Sequence, residues 1–197
     1  MLRVYCAGPL FNPSERAEME SIASTLELSG FSTFLPHRDG LEFAQIKPAL
    51  ERCGASPSEA ARIIDKAIFA LDTYQLLRRC DVVVANLNGR VPDEGTIVEA
   101  TLAWHSGKPL VLYKTDVRSM LSGSDNPMVT GLGDFETIND LSVLPAAIER
   151  VVALHSSGKV SGTMELGASI ATLRNDSDDV CAVAAVLYQN SHRKSKL

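Results

Sequence analysis

Three carboxylates stand within seven positions in the stretch VPDEGTIVEATLAW, residues 91–104, directly after the apolar run Val82 to Ala85. Asp93 and Glu94 fall where a helix should begin, and acids in a first turn accept its orphan N–H groups and suit its positive end. Glu99 lies a turn further on, beyond the reach of capping. Its neighbours at i−4 and i+4 are Gly95 and Ala103, so the row it occupies is nearly bare, while Ile97, Val98, Leu102 and Trp104 supply the bulk facing the core. A carboxylate between two small residues has room above it for a ligand, although a solvated helical glutamate reads the same way. Asp72 sits late in the apolar run IFALDTYQLL, where the negative end of a helix gives an acid no help. Tyr5, in mid-strand, can bring a hydroxyl to the same edge or be no more than a half-buried aromatic. Two or three carboxylates around one pocket suit glycosidic-bond chemistry. One stays ionised and attacks the anomeric carbon, and another stays protonated and donates to the leaving group. Burial and mutual repulsion would push their pKa values apart.

The elements that must position these residues alternate between strand and helix. Leu2 to Ala7 reads as a buried strand. Asn12 caps a helix with Pro13 at its first position and Gly30 as its stop. Phe31 to Leu35 is a second strand, followed by a loop through PHRDG. Ser56 to Glu59 is a capping box that opens a helix running to about Arg79. Val82 to Leu87 is a third strand, Glu94 to Ser106 a helix ended by Gly107, and Pro109 to Tyr113 a fourth strand. A short fifth strand near Phe135 to Ile138 precedes an amphipathic helix from about Leu141 to Leu154. This order predicts an α/β fold: a single-domain, flavodoxin- or Rossmann-like three-layer sandwich around a mainly parallel five-stranded sheet, spanning residues 1–155. Ligands on such sheets bind outside the carboxyl ends of the strands, so the loops at 8–12, 36–40 and 88–93 matter most. Neither GxGxxG nor GxxxxGK[ST] occurs, so no dinucleotide or Walker-type phosphate site is signalled. Beyond the flexible joint HSSGKVSG, residues 156–197 read as a partly helical C-terminal extension. Its helices fall around Met164 to Leu173 and Asp179 to Tyr188, ahead of a basic tail, SHRKSKL.

At 197 residues and 45% hydrophobic, the chain is long enough to bury one good core. Its 19 basic and 24 acidic residues leave a net charge of −5 without a basic stripe, which argues against nucleic acid or an anionic membrane as partner. No apolar stretch approaches the roughly 18 residues of a membrane span, and MLRVYCAGPLF lacks the pattern of a signal peptide. Cys6, Cys53, Cys80 and Cys181 form no metal-ligand spacing and read as buried free thiols of a cytoplasmic protein. Neither a metal nor a cofactor is expected.

Five segments in order then resemble the nucleoside 2-deoxyribosyltransferase family: Tyr5-Cys-Ala-Gly-Pro-Leu-Phe11, Cys80-Asp-Val-Val-Val-Ala-Asn86, Asp93-Glu-Gly-Thr-Ile-Val-Glu99, Gly107-Lys-Pro109 and Asn126-Pro-Met128. The resemblance runs from Leu2 to about Leu132. It implies that Glu99 attacks C1′ of a 2′-deoxynucleoside, releases the base and holds the sugar covalently until a second base takes it. It makes Tyr5 the hydroxyl that orients Glu99. Asp72 and Asp93 would contact base and sugar, one of them as proton donor, and Phe11 would line the base pocket. Asn126 and Met128 would reach the sugar of a neighbouring subunit, so a homo-oligomer with shared sites is implied. Gly8, Arg38 and Asp39 sit on loops that should face the base. By this reading Asp93 serves the substrate and Glu94 only the helix. Where the family usually has glycine two residues after the nucleophile, Thr101 stands here, and its bulk is expected to crowd base or sugar. The chain also continues past the point where family members often end.

Two other functions fit parts of this pattern. A nucleoside or nucleotide N-glycosidase would keep the glutamate and use water as acceptor, and the helix start at Asn12 to Arg16 could cradle a 5′-phosphate, with Glu15 opposing it. A non-enzymatic nucleotide-sensing module would account for a pocket but not for tyrosine, aspartates and glutamate together.

Overall fold

The computed structural model describes residues 1–41, 43–89, 91–116, 125–155, 159–176, 184–185 and 188. The chain divides into two units, residues 1–155 and 156–197. In the first, four short apolar runs, β1 (Arg3–Ala7), β2 (Ser32–Phe34), β3 (Val82–Asn86) and β4 (Leu110–Tyr113), form one sheet in the order β2-β1-β3-β4. All three pairings are parallel. Val4 lies opposite Val82 and Ala7 opposite Ala85, while Val83 lies opposite Leu110 and Asn86 opposite Tyr113.

Parallel strands need crossover helices, and these cover both faces of the sheet. Alternation along the strands divides the core accordingly. Val4, Cys6, Val82, Val84 and Val111 pack under Met19, Ile22 and Leu26 of α1 (Pro13–Leu28) and Leu144 and Ile148 of α7 (Leu144–Ala153). Tyr5, Ala7, Val83, Ala85 and Leu112 face Ala100 and Ala103 of α5 (Glu94–His105). The small residues let α5 lie close on the sheet. Helix α4 (Pro57–Tyr74) returns the chain to β3 through a π-helical turn, Gln75–Arg79, whose Leu76 is buried in the same cluster. α1 and α5 therefore leave neighbouring strands, β1 and β3, on opposite faces, and a crevice opens between those strand ends. This is the switch point where open α/β sheets take their ligands.

Several details differ from the sequence reading. The sheet has four strands among the described residues, not five. Asp134 and Phe135 both adopt left-handed conformations, with φ of 56° and 63°, so the chain turns there instead of extending. Only Ile138 then lies beside β4, where its N–H bonds to Leu112 and its carbonyl accepts from Lys114, both at 2.8 Å. The PHRDG segment is a short helix, α2 (Pro36–Asp39), and an unforeseen helix, α3 (Phe43–Arg52), carries Pro48 in its interior. Proline inside a helix removes a hydrogen bond, which is why the sequence masks this element. Of the cysteines, Cys6 and Cys80 are buried, but Cys53 is an exposed thiol; Cys181 lies outside the described residues.

The second unit contains α8 (Lys159–Asp176), longer than the helix expected around Met164 to Leu173. The helix expected from Asp179 to Tyr188 and the basic tail lie largely outside the described residues. No helix among the described residues is long and apolar enough to cross a membrane.

Leu112 is 1% exposed between α5 and the sheet, so Leu112→Ala should lower the unfolding free energy by about 2–5 kcal/mol in urea titrations. Leu28→Ala, at a side chain 91% exposed, should change it by less than about 0.5 kcal/mol.

Candidate active site

The strand β1 points Tyr5 toward α5, where it is fully buried. Its ring stacks on Phe34 with centroids 5.5 Å apart, which fixes the direction of the hydroxyl. That hydroxyl donates to Oε1 of Glu99 at 2.5 Å. Burial, then the neighbouring Glu99 and Asp72, push the Tyr5 hydroxyl far above its ordinary range, so it keeps its proton and can only donate.

Glu99 lies in the second turn of α5, largely buried. Burial pushes its carboxyl up from 4.5 to about 7; the Tyr5 hydrogen bond pulls it down, and Asp72 and Asp93 push it up further. Asp72, in the last turn of α4, is lifted from 3.8 to about 6 by burial. Among the described residues no cation or hydrogen-bond donor reaches it. Asp93 is the N-cap of α5: its Oδ2 accepts both the N–H of Thr96 at 2.7 Å and the Thr96 hydroxyl at 2.9 Å. The capping role expected of Glu94 thus falls to Asp93, because only the N-cap side chain lies across the free N–H groups. Four acidic or phenolic groups from β1, α4 and α5 therefore meet at the crevice, and three of the four are carboxyls with no positive partner among the described residues.

The remaining expected residues are placed differently. Gly8 is required by packing, since a Cβ there would meet Met19 Sδ at 2.2 Å and Asn86 at 3.2 Å. Phe11 is 82% exposed and Met128 81% exposed on this chain. Asn126 caps α6 (Pro127–Thr130) by accepting the Met128 N–H at 2.9 Å, and beside it Asp125 pairs with the buried Lys114 ammonium at 2.5 Å. Arg38 and Asp39 are bound to each other and to structural groups. Arg38 reaches Glu27 and Thr33, each at 2.8 Å, and Asp39 accepts the Leu35 N–H at 2.8 Å. Their polar atoms are occupied on the α1 side and do not join the carboxylate cluster. Thr101 is exposed, its hydroxyl bonded to the Ile97 carbonyl at 2.8 Å. Residues two apart on a helix point in different directions, so Thr101 and Glu99 do not share one face of α5.

The proposed phosphate cradle at α1 is already filled. Glu15 accepts the N–H groups of Phe11 and Asn12 at 2.8 and 3.2 Å, Asn12 returns the bond to Glu15 N–H at 3.0 Å, and Arg16 is held by the Leu10 carbonyl at 2.8 Å. Sequence reasoning missed Thr96, the Lys114–Asp125 pair and Asn88. The run Asn86-Leu-Asn88 at a strand's carboxyl end was the available signal. No group of three or more metal-ligating side chains is close enough to hold a cation among the described residues.

The model of one family, nucleoside 2-deoxyribosyltransferase, matches residues 4–164. No curated protein sequence matches the chain. Among solved structures, a conserved protein from Enterococcus faecalis V583 is 22% identical over 76% of this chain and 98% of its own, with a TM-score of 0.56. A 2-desoxiribosyltransferase from Leishmania mexicana is 19% identical, covers 79% of this chain and 100% of its own, and has a TM-score of 0.49. A CMP N-glycosidase from Clostridium botulinum is 16% identical over 75% of this chain and 97% of its own, with a TM-score of 0.41. The first of these likenesses shows a shared fold and nothing further.

Burying Glu99 has a measurable consequence for stability. The folded protein holds the Glu99 proton to about pH 7, whereas the unfolded chain releases it near 4.5. The stability tied to this group is therefore complete below the lower value and is lost as pH rises through the upper one. Glu99→Gln keeps a partner for Tyr5 and removes the titration. It should resist urea better than the native protein at about pH 8, and the difference should disappear near pH 4.5 in paired denaturation curves.

Proposed function

The chain belongs to the nucleoside 2-deoxyribosyltransferase family, and from that premise we propose that it transfers 2-deoxyribose between nucleobases through a covalent deoxyribosyl ester on Glu99. The observation that carries this reading is the 2.5 Å bond from Tyr5 to Oε1 of Glu99 inside a cluster of carboxyls. It holds one carboxylate oxygen and leaves Oε2 to attack. In the first half-reaction Oε2 forms a bond to C1′, the C1′–N bond breaks, and its electron pair goes to the departing base. The base then takes a proton from Asp72. In the second, Asp72 accepts the proton of the incoming base, whose nitrogen attacks C1′ and returns the ionised carboxylate.

Asp72 suits the acid role better than Asp93 for a physical reason. Burial lifts Asp72 to about 6, and among the described residues nothing nearby stabilises its charge, so it keeps a proton about two pH units higher than an ordinary aspartate. Asp93 spends Oδ2 on two hydrogen bonds from Thr96 at the start of α5, and its other oxygen can face a sugar hydroxyl. The substrates of this reading are a 2′-deoxynucleoside and a free nucleobase, and Asn126 and Met128 complete the site of a neighbouring copy in a dimer or larger assembly. Family membership, together with the tyrosine and three carboxyls gathered at one crevice, weighs against a non-enzymatic sensing module.

One observation favours an N-glycosidase as the second reading: Phe11 and Met128 are both more than four-fifths exposed. Alone, this chain does not exclude water from the sugar ester, and a neighbouring copy must do so for transfer to dominate.

Deoxyinosine mixed with adenine should yield deoxyadenosine by chromatography, with ping-pong kinetics and slow hydrolysis when no acceptor is present. Only free deoxyribose, at a rate unaffected by adenine, would assign the protein to the hydrolases. Glu99→Ala and Glu99→Gln should both lose activity by orders of magnitude, since neither forms the ester.

With Glu99 needed ionised and Asp72 protonated, kcat/KM should follow a bell with its maximum between about pH 6 and 7. Asp72→Asn should lose about 100-fold or more on natural deoxynucleosides, yet far less on p-nitrophenyl 2-deoxyriboside, whose leaving group needs no proton. Equal losses on both substrates would remove Asp72 from the acid role.

A further inference from the structure

We infer that Asn88 is a positioning residue of this site, a brace that sets the separation of α1, the β3–α5 loop and the segment after β4. The inference rests on the catalytic reading above. Asn88 follows the end of β3, where the sheet ladder runs out after the bond from Leu87 N–H to the Tyr113 carbonyl at 2.8 Å. Its side chain takes over from the ladder. Oδ1 accepts the backbone N–H groups of Thr115 at 2.8 Å and Asp116 at 2.9 Å. Nδ2 donates to the Thr115 hydroxyl at 3.0 Å and to a carboxylate oxygen of Glu18 on α1. An asparagine amide has two acceptor and two donor positions, and all four are used. The two backbone donors admit only an oxygen opposite them, which fixes the orientation of the amide. Its own N–H donates to Asn86 Oδ1 at 3.0 Å, and Asn86 is itself fully buried.

The bond to Glu18 joins α1, on one face of the sheet, to the loop feeding α5 on the other. The next residue, Gly89, has φ of +122°, and a Cβ there would come within 3.1 Å of the Val91 carbonyl oxygen. An Asn-Gly pair thus bends the loop immediately after it has been anchored. Downstream on the same loop comes Asp93, and one turn into the helix comes Glu99. On the other arm, Thr115 and Asp116 follow Lys114, the residue that holds Asp125 beside Asn126. Asn88 touches none of the reacting groups named above. It determines where the elements bearing Asp93, Glu99 and Asn126 stand relative to α1, and a displacement of about 1 Å between reacting groups is enough to cost about 100-fold in rate.

The test is Asn88→Asp, which keeps acceptors for Thr115 and Asp116 but sets a carboxylate against Glu18. On a deoxynucleoside that the native protein cleaves, kcat should fall by about 30-fold or more while KM changes by less than about three-fold. Adding Glu18→Gln to Asn88→Asp supplies a donor again and should restore most of kcat. Glu18→Ala, which removes only the bond from the loop to α1, covers the case in which Asn88→Asp does not fold; it should lower kcat several-fold. A folded Asn88→Asp, or failing that Glu18→Ala, with native kcat overturns the inference. Amide hydrogen exchange over residues 87–99 reads the brace directly and should quicken in either variant. If the native protein releases no base, the catalytic reading falls, and unchanged exchange in the variants would then overturn the brace by itself.

Discussion

A carboxyl buried against a strand, with no cation beside it among the described residues, is the constraint on which the rest of this structure depends. Glu99 is held below the surface by the packing of α5 on Tyr5, Val83 and Ala85, and among the described residues its one hydrogen-bond partner is the Tyr5 hydroxyl. Burial disfavours its charge, and the phenol offsets part of that cost because it can only donate. The sheet makes the arrangement possible. Small residues on α5, Ala100 and Ala103, bring the helix close enough for a strand side chain to reach its second turn. The same proximity removes the water that would otherwise solvate the acid, leaving a carboxyl whose charged form is less stable than that of a surface glutamate.

Around that bond the other acids divide by what they touch. Asp93 is satisfied by the N–H and hydroxyl of Thr96 and holds the start of α5; Asp72 has burial and no donor. Two aspartates of equal chemistry thereby acquire different surroundings: Asp93 is bound into a helix start, and burial raises the pKa of Asp72. These surroundings belong to different elements, since Asp72 arrives on α4 and Asp93 on the loop from β3.

The rim is built on another principle. Charged and amide groups there are saturated by the protein itself: Glu15 closes the N–H groups of α1, Arg38 and Asp39 close on Glu27 and Leu35, and Asn88 ties three segments with every hydrogen-bonding position. Phe11 and Met128, in contrast, stand out into solvent. A rigid polar rim with two free apolar side chains suits a site completed by a second surface.

The sequence by itself determined the alternation of strand and helix, the sheet's parallel character, the family and the four residues that meet at the crevice. Those features rest on local periodicity, on helix caps such as Asn12 and Ser56, and on a spacing of residue types that survives without coordinates. It did not reveal α3, because Pro48 argues against helix when only neighbours are weighed, nor the loss of a fifth strand to the turn at Asp134 and Phe135. It left the helix start to Glu94 and the substrate to Asp93, whereas in the folded chain Asp93 is the N-cap and Glu94 stands in the first turn; it expected Thr101 to crowd base or sugar, and Thr101 is exposed with its hydroxyl bonded within its own helix. Capping depends on φ and ψ at one residue, and facing depends on which side of α5 meets the sheet. Above all, the partners of Asn88 and Arg38 lie many residues away in sequence, and the burial that lifts Glu99 and Asp72 comes from elements packed in from other parts of the chain. Desolvation and long-range hydrogen bonding are properties of the assembled layers, so only the tertiary structure decided which polar residues remain available for chemistry and which were already bound.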